Sequence, residues 1–265
     1  MPDAPYNRML ASLEPITLAE MDSIRLMNRI DSKYVTDEVT LGHILADAAA
    51  AGYRALTVEG LRLSPYNSMY YDTDGLKMYT DHHNRRLVRQ KIRTRVYVSS
   101  GLTFLEVKRK NNKGRTKKKR MVIPADAFSD FRSVPQACAF VAEKSDFTAD
   151  RIAPRMTTAF DRITLVNAEK TERLTIDLHL HFHNVVSGLD AGLGPAVIIE
   201  LKQDGRADSR MKRILLERRV KPIHVSKYCI GTTLTDPTAK SNRFKLKIKK
   251  IEKVIHEKIE VPCVS

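Results

Sequence analysis

Positively charged residues alternate with apolar ones between residues 88 and 97. The cations are Arg89, Lys91, Arg93 and Arg95, and the apolar residues are Val88, Ile92 and Val96. Because successive side chains of a β-strand point to opposite faces, this spacing would gather the cations on one face of a strand. Lysine and arginine side chains bind phosphate oxygens, and arginine adds bidentate geometry. A strand here could therefore hold a phosphate-rich ligand.

The same alternation recurs in four further segments of the chain. Their polar positions are Glu106, Lys108 and Lys110; Lys118 and Arg120; Arg173, Thr175 and Asp177; and Glu200 and Lys202. One interpretation is an ordinary antiparallel sheet with one solvated face. The other is a sheet curled into a barrel with the cations inside, where a bound polyanion would offset the repulsion between like charges. The pattern alone leaves both interpretations open.

Composition restricts the class of partner. The 265 residues include 46 Lys plus Arg against 31 Asp plus Glu, which gives a formal charge of +15. Such an excess indicates an acidic partner: nucleic acid, an anionic membrane surface or a phosphate-rich small substrate. The absence of Trp and an aromatic content of 6% disfavour nucleic acid, because its binding proteins use aromatic stacking surfaces.

The elements that must position these residues are predicted to form one α+β domain with many antiparallel strands. Strands are predicted over 28–35, 53–63, 66–73, 116–123, 154–166, 172–183 and 195–203, and two more lie within 86–110 around a turn at 99–101. Helices are predicted over 1–27, 40–51 and 207–219, and helical stretches begin at Pro124 and Pro135. In the first helix, Thr17 and Glu20 fit a capping box ahead of an apolar stripe of Met21, Ile24, Leu26 and Met27.

Several features favour a cytoplasmic protein. No apolar run approaches the ~20 residues that a spanning helix needs, and the first residues lack the apolar core of a secretory signal. The three cysteines, Cys138, Cys229 and Cys263, are far apart without a CxxC spacing, which is typical of reduced thiols.

Seven short motifs occur in a characteristic order between residues 28 and 231. They are Arg29-Ile-Asp-Ser-Lys-Tyr, Tyr70-Tyr-Asp-Thr, Lys91-Ile-Arg-Thr-Arg-Val-Tyr, Leu105-Glu-Val-Lys, Arg155-Met-Thr-Thr-Ala-Phe, Ile199-Glu-Leu-Lys and Ser226-Lys-Tyr. Each is weak alone. As an ordered set they resemble the VTC domain, the polyphosphate polymerase branch of the triphosphate tunnel metalloenzymes.

The resemblance implies an eight-stranded antiparallel β-barrel that forms a tunnel over 28–231, with helices packed outside. It implies transfer of the terminal phosphoryl group of ATP onto inorganic polyphosphate, with Mn²⁺ or Mg²⁺. A hydrolase of triphosphate or nucleoside triphosphates on the same fold, and a polyphosphate-binding module without turnover, are the alternatives.

The resemblance also implies roles for individual residues. Those expected at the reacting phosphates are Lys33, Arg93, Arg95, Lys108, Arg155 and Lys227. Those expected along the substrate are Arg29, Lys91, Lys118, Arg120, Arg173 and Lys202. Glu200 is the expected metal ligand, and Glu106 is expected either to join it or to pair with neighbouring cations.

The first strand departs from the superfamily signature Glu-x-Glu-x-Lys, because here it is Arg29-x-Asp31-x-Lys33. With fewer carboxylates, the metal should depend more on substrate phosphates, which suits Mg²⁺ and Mn²⁺. The replacement of the first glutamate also makes the hydrolytic branch a poorer match.

Two further segments leave alternatives open. The basic tail over 240–260 has apolar residues at helical spacing, which favours packing on the barrel over plugging the tunnel or contacting an anionic membrane surface or a membrane partner protein. His179, His181 and His183 share a strand face, and a polar strand end is favoured over a metal site.

Overall fold

The structure is a computed structural model that describes residues 4–22, 29–205 and 208–261. Its helices are α1 (Ala4–Ala11), α2 (Leu18–Asp22), α3 (Glu38–Ala50), α4 (Lys77–His83), α5 (Pro135–Lys144), α6 (Arg210–Glu217), α7 (Lys227–Thr235) and α8 (Asn242–Ile255). Its strands are β1 (Glu14–Ile16), β2 (Arg29–Asp37), β3 (Arg54–Leu56), β4 (Ser64–Asp72), β5 (Arg89–Tyr97), β6 (Leu102–Lys110), β7 (Thr116–Ile123), β8 (Ala153–Val166), β9 (Glu172–Asn184), β10 (Asp190–Gly192) and β11 (Ala196–Asp204).

Eight strands form one antiparallel sheet that curls into a half-barrel. Their order is β2-β11-β9-β8-β4-β5-β6-β7, with β3 and β10 added to β8 and β9. The curl brings strands that are distant in the sheet order close together. As a result, the charge of Lys108 on β6 helps to lower the pKa of Glu200 on β11. This architecture confirms the antiparallel barrel expected from the resemblance.

Apolar side chains of the outer face pack under three helices. Leu41 of α3 and Met211 of α6 join a buried cluster with Ile199 of β11. On the other half of the sheet, Val141 of α5 packs in a cluster with Ile92 of β5. Apolar residues that alternate with the cations, such as Ile92, Leu105 and Val107, therefore lie in the core, as the alternation predicts, whereas Val88, just before β5, is exposed.

The last two helices pack against one end of the inner face. The ring of Tyr228 on α7 stacks on Tyr70 of β4 with centroids 5.1 Å apart. Ile251 of α8 is buried in the same cluster, with Val35 of β2. The basic tail therefore packs against the barrel, and α7 and α8 together occupy one of its ends.

The N-terminal region differs from the single helix predicted over 1–27. Within 4–22 the chain forms α1, β1 and α2, and Pro15 lies in β1, which pairs with β3. Proline lacks the amide hydrogen that a continuing helix needs. The capping box is confirmed, because Thr17 N donates to Glu20 Oε2 (2.9 Å) and Glu20 N to Thr17 Oγ1 (3.3 Å). Ile24, Leu26 and Met27 lie outside the described residues.

Two other predictions were too long. The strand predicted over 53–63 covers only Arg54–Leu56, because the chain turns at Glu59 and Gly60, which both have positive φ. After Pro124 the chain forms 3-10 turns at Ala125–Phe128 and Phe131–Ser133 rather than a longer helix. The described helices include none with the length and apolarity to cross a bilayer.

The packing of α8 predicts a sharp difference between two aliphatic residues of that helix. Ile251 is fully buried, whereas 65% of Leu246 is exposed. We expect Ile251→Ala to lower the free energy of unfolding by about 2–5 kcal/mol, because it leaves a cavity. Leu246→Ala should change it by less than about 0.5 kcal/mol. Urea denaturation of both variants checks this, and equal effects would mean that α8 does not pack as described.

Candidate active site

The inner face of the sheet carries a ladder of charged side chains at matched register. Arg93 of β5 lies opposite Glu106 of β6, which lies opposite Arg120 of β7. At the far side of the sheet, Lys33 of β2 lies opposite Glu200 of β11. This surface, called the cationic face below, comprises Lys33, Lys91, Arg93, Arg95, Glu106, Lys108, Lys118, Arg120, Arg162, Arg173, Asp177, Glu200, Lys202 and Lys227.

Glu106 is fully buried and saturated by cations. Its Oε2 accepts from Arg93 Nε at 2.7 Å, and its Oε1 accepts from Lys118 Nζ at 2.6 Å. Burial works to raise the pKa of Glu106, but the charges of Arg93, Arg95 and Lys118 outweigh it and hold the pKa far below the ordinary value. Glu106 is therefore an anion that orders the surrounding cations.

Asp177 on β9 forms a second such centre. Its Oδ1 accepts from Arg162 Nε at 2.6 Å, and its Oδ2 accepts from Arg162 Nη2 at 2.8 Å and from Lys227 Nζ. Burial opposes its ionisation, yet Arg162 and Lys227 keep the pKa of the carboxyl well below its usual range. Nε and Nη2 of Arg162 thereby bind Asp177 in a bidentate geometry.

Aromatic rings support the arginines of the cationic face. Tyr66 and Phe160 stack with centroids 5.5 Å apart, and the guanidinium of Arg95 lies 5.5 Å from the Tyr66 centroid and 5.4 Å from the Phe160 centroid. Arg95 Nε donates to Ser68 Oγ at 2.9 Å. The two rings and the Ser68 hydroxyl restrict the rotamers of Arg95. Its charge is therefore held in place before a ligand binds.

The chain entering α7 completes the site from outside the sheet. Ser226 caps α7 by accepting from Cys229 N, and the same oxygen accepts from Lys91 Nζ at 2.8 Å. Lys33 Nζ donates to Val225 O at 3.1 Å. One segment, 225–228, thus holds two lysines of the sheet and supplies Lys227 itself.

Glu200 differs from the other two inner acids because it is not saturated. Its nearest ion-pair contact is Lys202 Nζ at 3.5 Å, and 26% of its side chain is exposed. Burial opposes ionisation, but Lys33, Lys202 and Lys108 hold the pKa of Glu200 well below its usual range. Its carboxylate is therefore charged and available.

The donor set fits a divalent metal only when substrate supplies most of the ligands. Among residues 4–22, 29–205 and 208–261 there is no cluster of three or more His, Cys, Asp or Glu side chains able to hold a metal. Glu106 has its oxygens occupied by Arg93 and Lys118, so the structure supports the ion-pair alternative for it. Glu200 can offer one carboxylate, and Mg²⁺ is commonly held by one or two carboxylates plus substrate phosphates.

Most of the residues predicted for the site lie together on the cationic face, but Arg155 and Arg29 lie apart from it. Arg173 lies opposite Lys202 on the cationic face, and its buried Nε has no partner among the described residues. At a register shift between β4 and β8, Arg155 has no partner residue on β4, and its side chain contacts Asp74. Arg29 is exposed and paired with Asp31 at 2.6 Å. Roles for Arg155 and Arg29 stay predictions.

Arg162 and Ser226 are site residues that the sequence analysis missed. A signal for Arg162 was present, because Phe160, Arg162 and Thr164 alternate in the same way as the other strands. Ser226 could not be recognised in advance, since its contact with Lys91 joins positions 135 residues apart.

The three histidines lie apart from the cationic face. His179 Nδ1 lies 2.8 Å from Asp161 Oδ2, and His183 Nδ1 lies 3.2 Å from Asp190 Oδ1. The side chains are partly exposed and belong to no metal-ligand cluster among the described residues. A polar strand end was the favoured interpretation, and this arrangement is consistent with it.

Three groups in or beside the cationic face, Lys202, Lys227 and Tyr70, titrate near pH 8 and predict a pH dependence of stability. Burial lowers the pKa of Lys202 from 10.5 to about 8. Burial lowers the pKa of Lys227 from 10.5 to about 8. Burial would raise the pKa of Tyr70, but Arg93 and Arg95 outweigh it and lower that pKa from 10.0 to about 8. Between pH 8 and 10 the unfolded chain therefore binds more protons than the folded chain, so the free energy of unfolding should rise with pH.

We expect a rise of about 1–2 kcal/mol from pH 8 to pH 9.5 in urea unfolding of the ligand-free protein. Saturating tripolyphosphate should remove the rise, because the anion keeps Lys227 protonated. A profile that is flat or falls in this window without ligand would show that these groups are not perturbed as described.

The fold is similar to that of proteins of known structure. The structure is similar to that of a proposed adenylate cyclase from Bacillus halodurans, with a TM-score of 0.50 and 13% identity over 82% of this chain and 99% of that one. It is also similar to the proposed adenylyl cyclase HpAC1 from Hippeastrum, described as having a dominant triphosphatase activity, with a TM-score of 0.50 and 14% identity over 77% of this chain and 95% of that one. At such identities the likeness concerns the fold alone.

No curated protein matches the sequence. The sequence profile of the VTC domain, in contrast, matches residues 28–235, which span β2 to the end of α7 and include every residue of the cationic face. The chain belongs to the VTC domain family and has the triphosphate tunnel fold.

Proposed function

We propose that this protein is a metal-dependent polyphosphate polymerase that transfers the terminal phosphoryl group of ATP onto a growing polyphosphate chain. In the reaction, an oxygen of the chain's terminal phosphate bonds to the γ-phosphorus of ATP. The bond from that phosphorus to the β–γ bridging oxygen breaks, and ADP leaves. The observation that carries the proposal is that Glu200 is the least tightly paired of the three carboxylates among the described residues of the cationic face, since its nearest ion-pair contact, Lys202 Nζ, lies 3.5 Å away.

The cations account for the binding and alignment that phosphoryl transfer requires. Charge develops on the transferred phosphoryl group and the leaving oxygen, so fixed positive groups stabilise the transition state. We assign Arg93, Arg95 and Lys108 to the transferred phosphoryl group, with Lys33 and Lys227 opposite. Glu200 would hold a divalent ion, Mn²⁺ or Mg²⁺, which would supply positive charge to neutralise part of the charge of the phosphates.

The saturation of the other acids favours polymerase over hydrolase. Water must be deprotonated to attack phosphorus efficiently, whereas a terminal phosphate is already ionised and needs no general base. Glu106 and Asp177, the other acids in the centre of the cationic face, are each neutralised by two cations. Neither is suited to accept a proton, since their pKa values lie well below the usual range.

The test is a product gel. Purified protein is incubated with ATP and Mn²⁺ or Mg²⁺, with and without a short polyphosphate primer, and the products are stained for polyphosphate. We expect a ladder of long chains that Lys33→Ala abolishes and the exposed-site control Lys250→Ala preserves. Orthophosphate without a ladder would identify a hydrolase, and tight binding without turnover would identify a binding module.

The domain boundaries and surroundings belong to the same proposal. We assign the tunnel to residues 28–231 within a single domain over 1–265. A cytoplasmic location, and contact of α8 with an anionic membrane surface or a membrane partner protein, stay predictions.

A further inference from the structure

Tyr228, the second residue of α7, is held by two residues of β4. Its hydroxyl donates to Asp72 Oδ2 at 2.6 Å, and both residues are buried. Its ring stacks on that of Tyr70, with the two planes inclined by only 19°. Tyr70 and Asp72 belong to the motif Tyr70-Tyr-Asp-Thr, and Tyr228 ends the motif Ser226-Lys-Tyr. Two motifs that are far apart in the chain therefore meet in one buried contact.

The carboxylate of Asp72 also fixes the start of α4. Its Oδ1 accepts from Thr73 N and Met78 N, and its Oδ2 accepts from Tyr79 N, all at 2.8 Å. Burying a carboxylate is costly unless it is hydrogen-bonded, and a hydrogen bond is directional whereas apolar contact is not. Asp72 therefore sets an orientation among β4, α4 and α7 that apolar packing alone would define less strictly.

The orientation of α7 matters because Lys227 directly precedes Tyr228. Consecutive side chains of an α-helix point about 100° apart, so fixing the direction of one also fixes the direction of the next. Lys227 Nζ reaches the cationic face, where it contacts Asp177. From the same buried stack, the Tyr70 hydroxyl accepts from Arg93 Nη1 at 2.9 Å. The stacked tyrosines thus contact the site through a lysine of α7 and an arginine of β5.

We propose that Asp72 and Tyr228 are positioning residues that align Lys227 with the phosphates bound at the cationic face. The inference rests on the proposed function, because it concerns the same site, and it gives a role to an acid that lies outside the cationic face. Without the hydrogen bond between Asp72 and Tyr228, α7 can rotate about its axis, and Lys227 then meets the phosphates less well. The simpler role for Asp72, capping α4, does not require the Tyr228 hydroxyl.

Tyr228→Phe tests the proposal, because it removes only the hydroxyl and leaves α4 capped. Affinity for tripolyphosphate is measured by calorimetry, without ATP, for the parent protein, Tyr228→Phe, Lys227→Ala and the double variant. We expect Tyr228→Phe to bind about threefold to tenfold more weakly, as for the loss of one hydrogen bond. Once Lys227 is alanine, the same change should alter affinity by less than about twofold, because effects that act through one residue are not additive.

The matched control is Tyr79→Phe. Tyr79 is buried in the same cluster as Tyr228, but its hydroxyl donates to Lys240 O at 2.8 Å. We expect this variant to lower the urea midpoint about as much as Tyr228→Phe does, yet to change tripolyphosphate affinity by less than about twofold. Asp72→Asn removes the acceptor instead of the donor. It should weaken binding as Tyr228→Phe does, and combining the two changes should add nothing further.

Three results would overturn the positioning role. They are an equal loss of affinity in Tyr79→Phe, an undiminished effect of Tyr228→Phe in the Lys227→Ala background, and unchanged affinity in both Tyr228→Phe and Asp72→Asn. If binding behaves as expected but ATP and Mn²⁺ give no polyphosphate ladder, the polymerase proposal fails while the positioning role stands.

Discussion

Replacing Glu106 by alanine should cost about 3–5 kcal/mol of folding free energy, the range expected when one partner of a buried ion pair is removed. The variant leaves Arg93 and Lys118 without the carboxylate that they share, and Arg93 is only 9% exposed. Urea denaturation measures the loss. Glu106→Gln should lose less, because its amide oxygen still accepts one hydrogen bond.

Ligand binding tests whether Glu106 holds the surrounding cations in place or is only a buried residue of the core. Tripolyphosphate stabilises any variant that binds it when folded. We expect it to stabilise Glu106→Ala more than the parent protein, because the ligand supplies the missing negative charge. The control is Asp208→Ala, which removes the acid from the exposed Arg213–Asp208 pair at 2.9 Å and should cost less than about 1 kcal/mol. Equal stabilisation of parent and Glu106→Ala would contradict this role for Glu106.

Replacing Glu200 by glutamine should separate turnover from binding. We expect the rate of phosphoryl transfer to fall by about 10²–10³-fold, the range seen when one preorganised electrostatic group is lost from an active site. Affinity for tripolyphosphate should stay the same or increase, because a negative charge leaves a cationic surface. The variant should also need a higher metal concentration for its remaining activity.

Metal titrations of the reaction rate, together with calorimetry of tripolyphosphate binding, make this comparison. Glu143→Gln is a suitable control, because Glu143 has a side chain that is 66% exposed. If Glu200→Gln keeps its rate within threefold and its metal dependence, then Glu200 is not the metal ligand.

The sequence predicted the strands and faces well because both follow from a local rule. Alternation of Arg89, Lys91, Arg93 and Arg95 fixes the inner face of β5 without knowledge of any other strand, and the observed register agrees. The turn around Gly101, with φ of 66°, was likewise readable from glycine's freedom to adopt positive φ.

The features that sequence reasoning missed are produced by irregular or distant contacts. The position of Arg155 could not be predicted either, because a register shift between Tyr70 and Tyr71 leaves it without a partner on β4, and its side chain contacts Asp74; its role in the tunnel stays a prediction. A bulge redirects side chains and has no reliable sequence signature. The contact of Lys91 with Ser226 depends on where α7 docks, and that is decided by packing of Tyr228 and Ile251 rather than by local sequence.

The central claim is that the terminal phosphoryl group of ATP enters a polyphosphate chain at the cationic face. Incubation with Mn²⁺, a polyphosphate primer and ATP labelled either at the γ-phosphate or at the α-phosphate tests it directly. We predict label in long chains from γ-labelled ATP alone, and transfer that is about 10²–10³-fold slower in Glu200→Gln. Release of the γ-label only as orthophosphate, with an unlabelled primer, would contradict the account and identify a hydrolase.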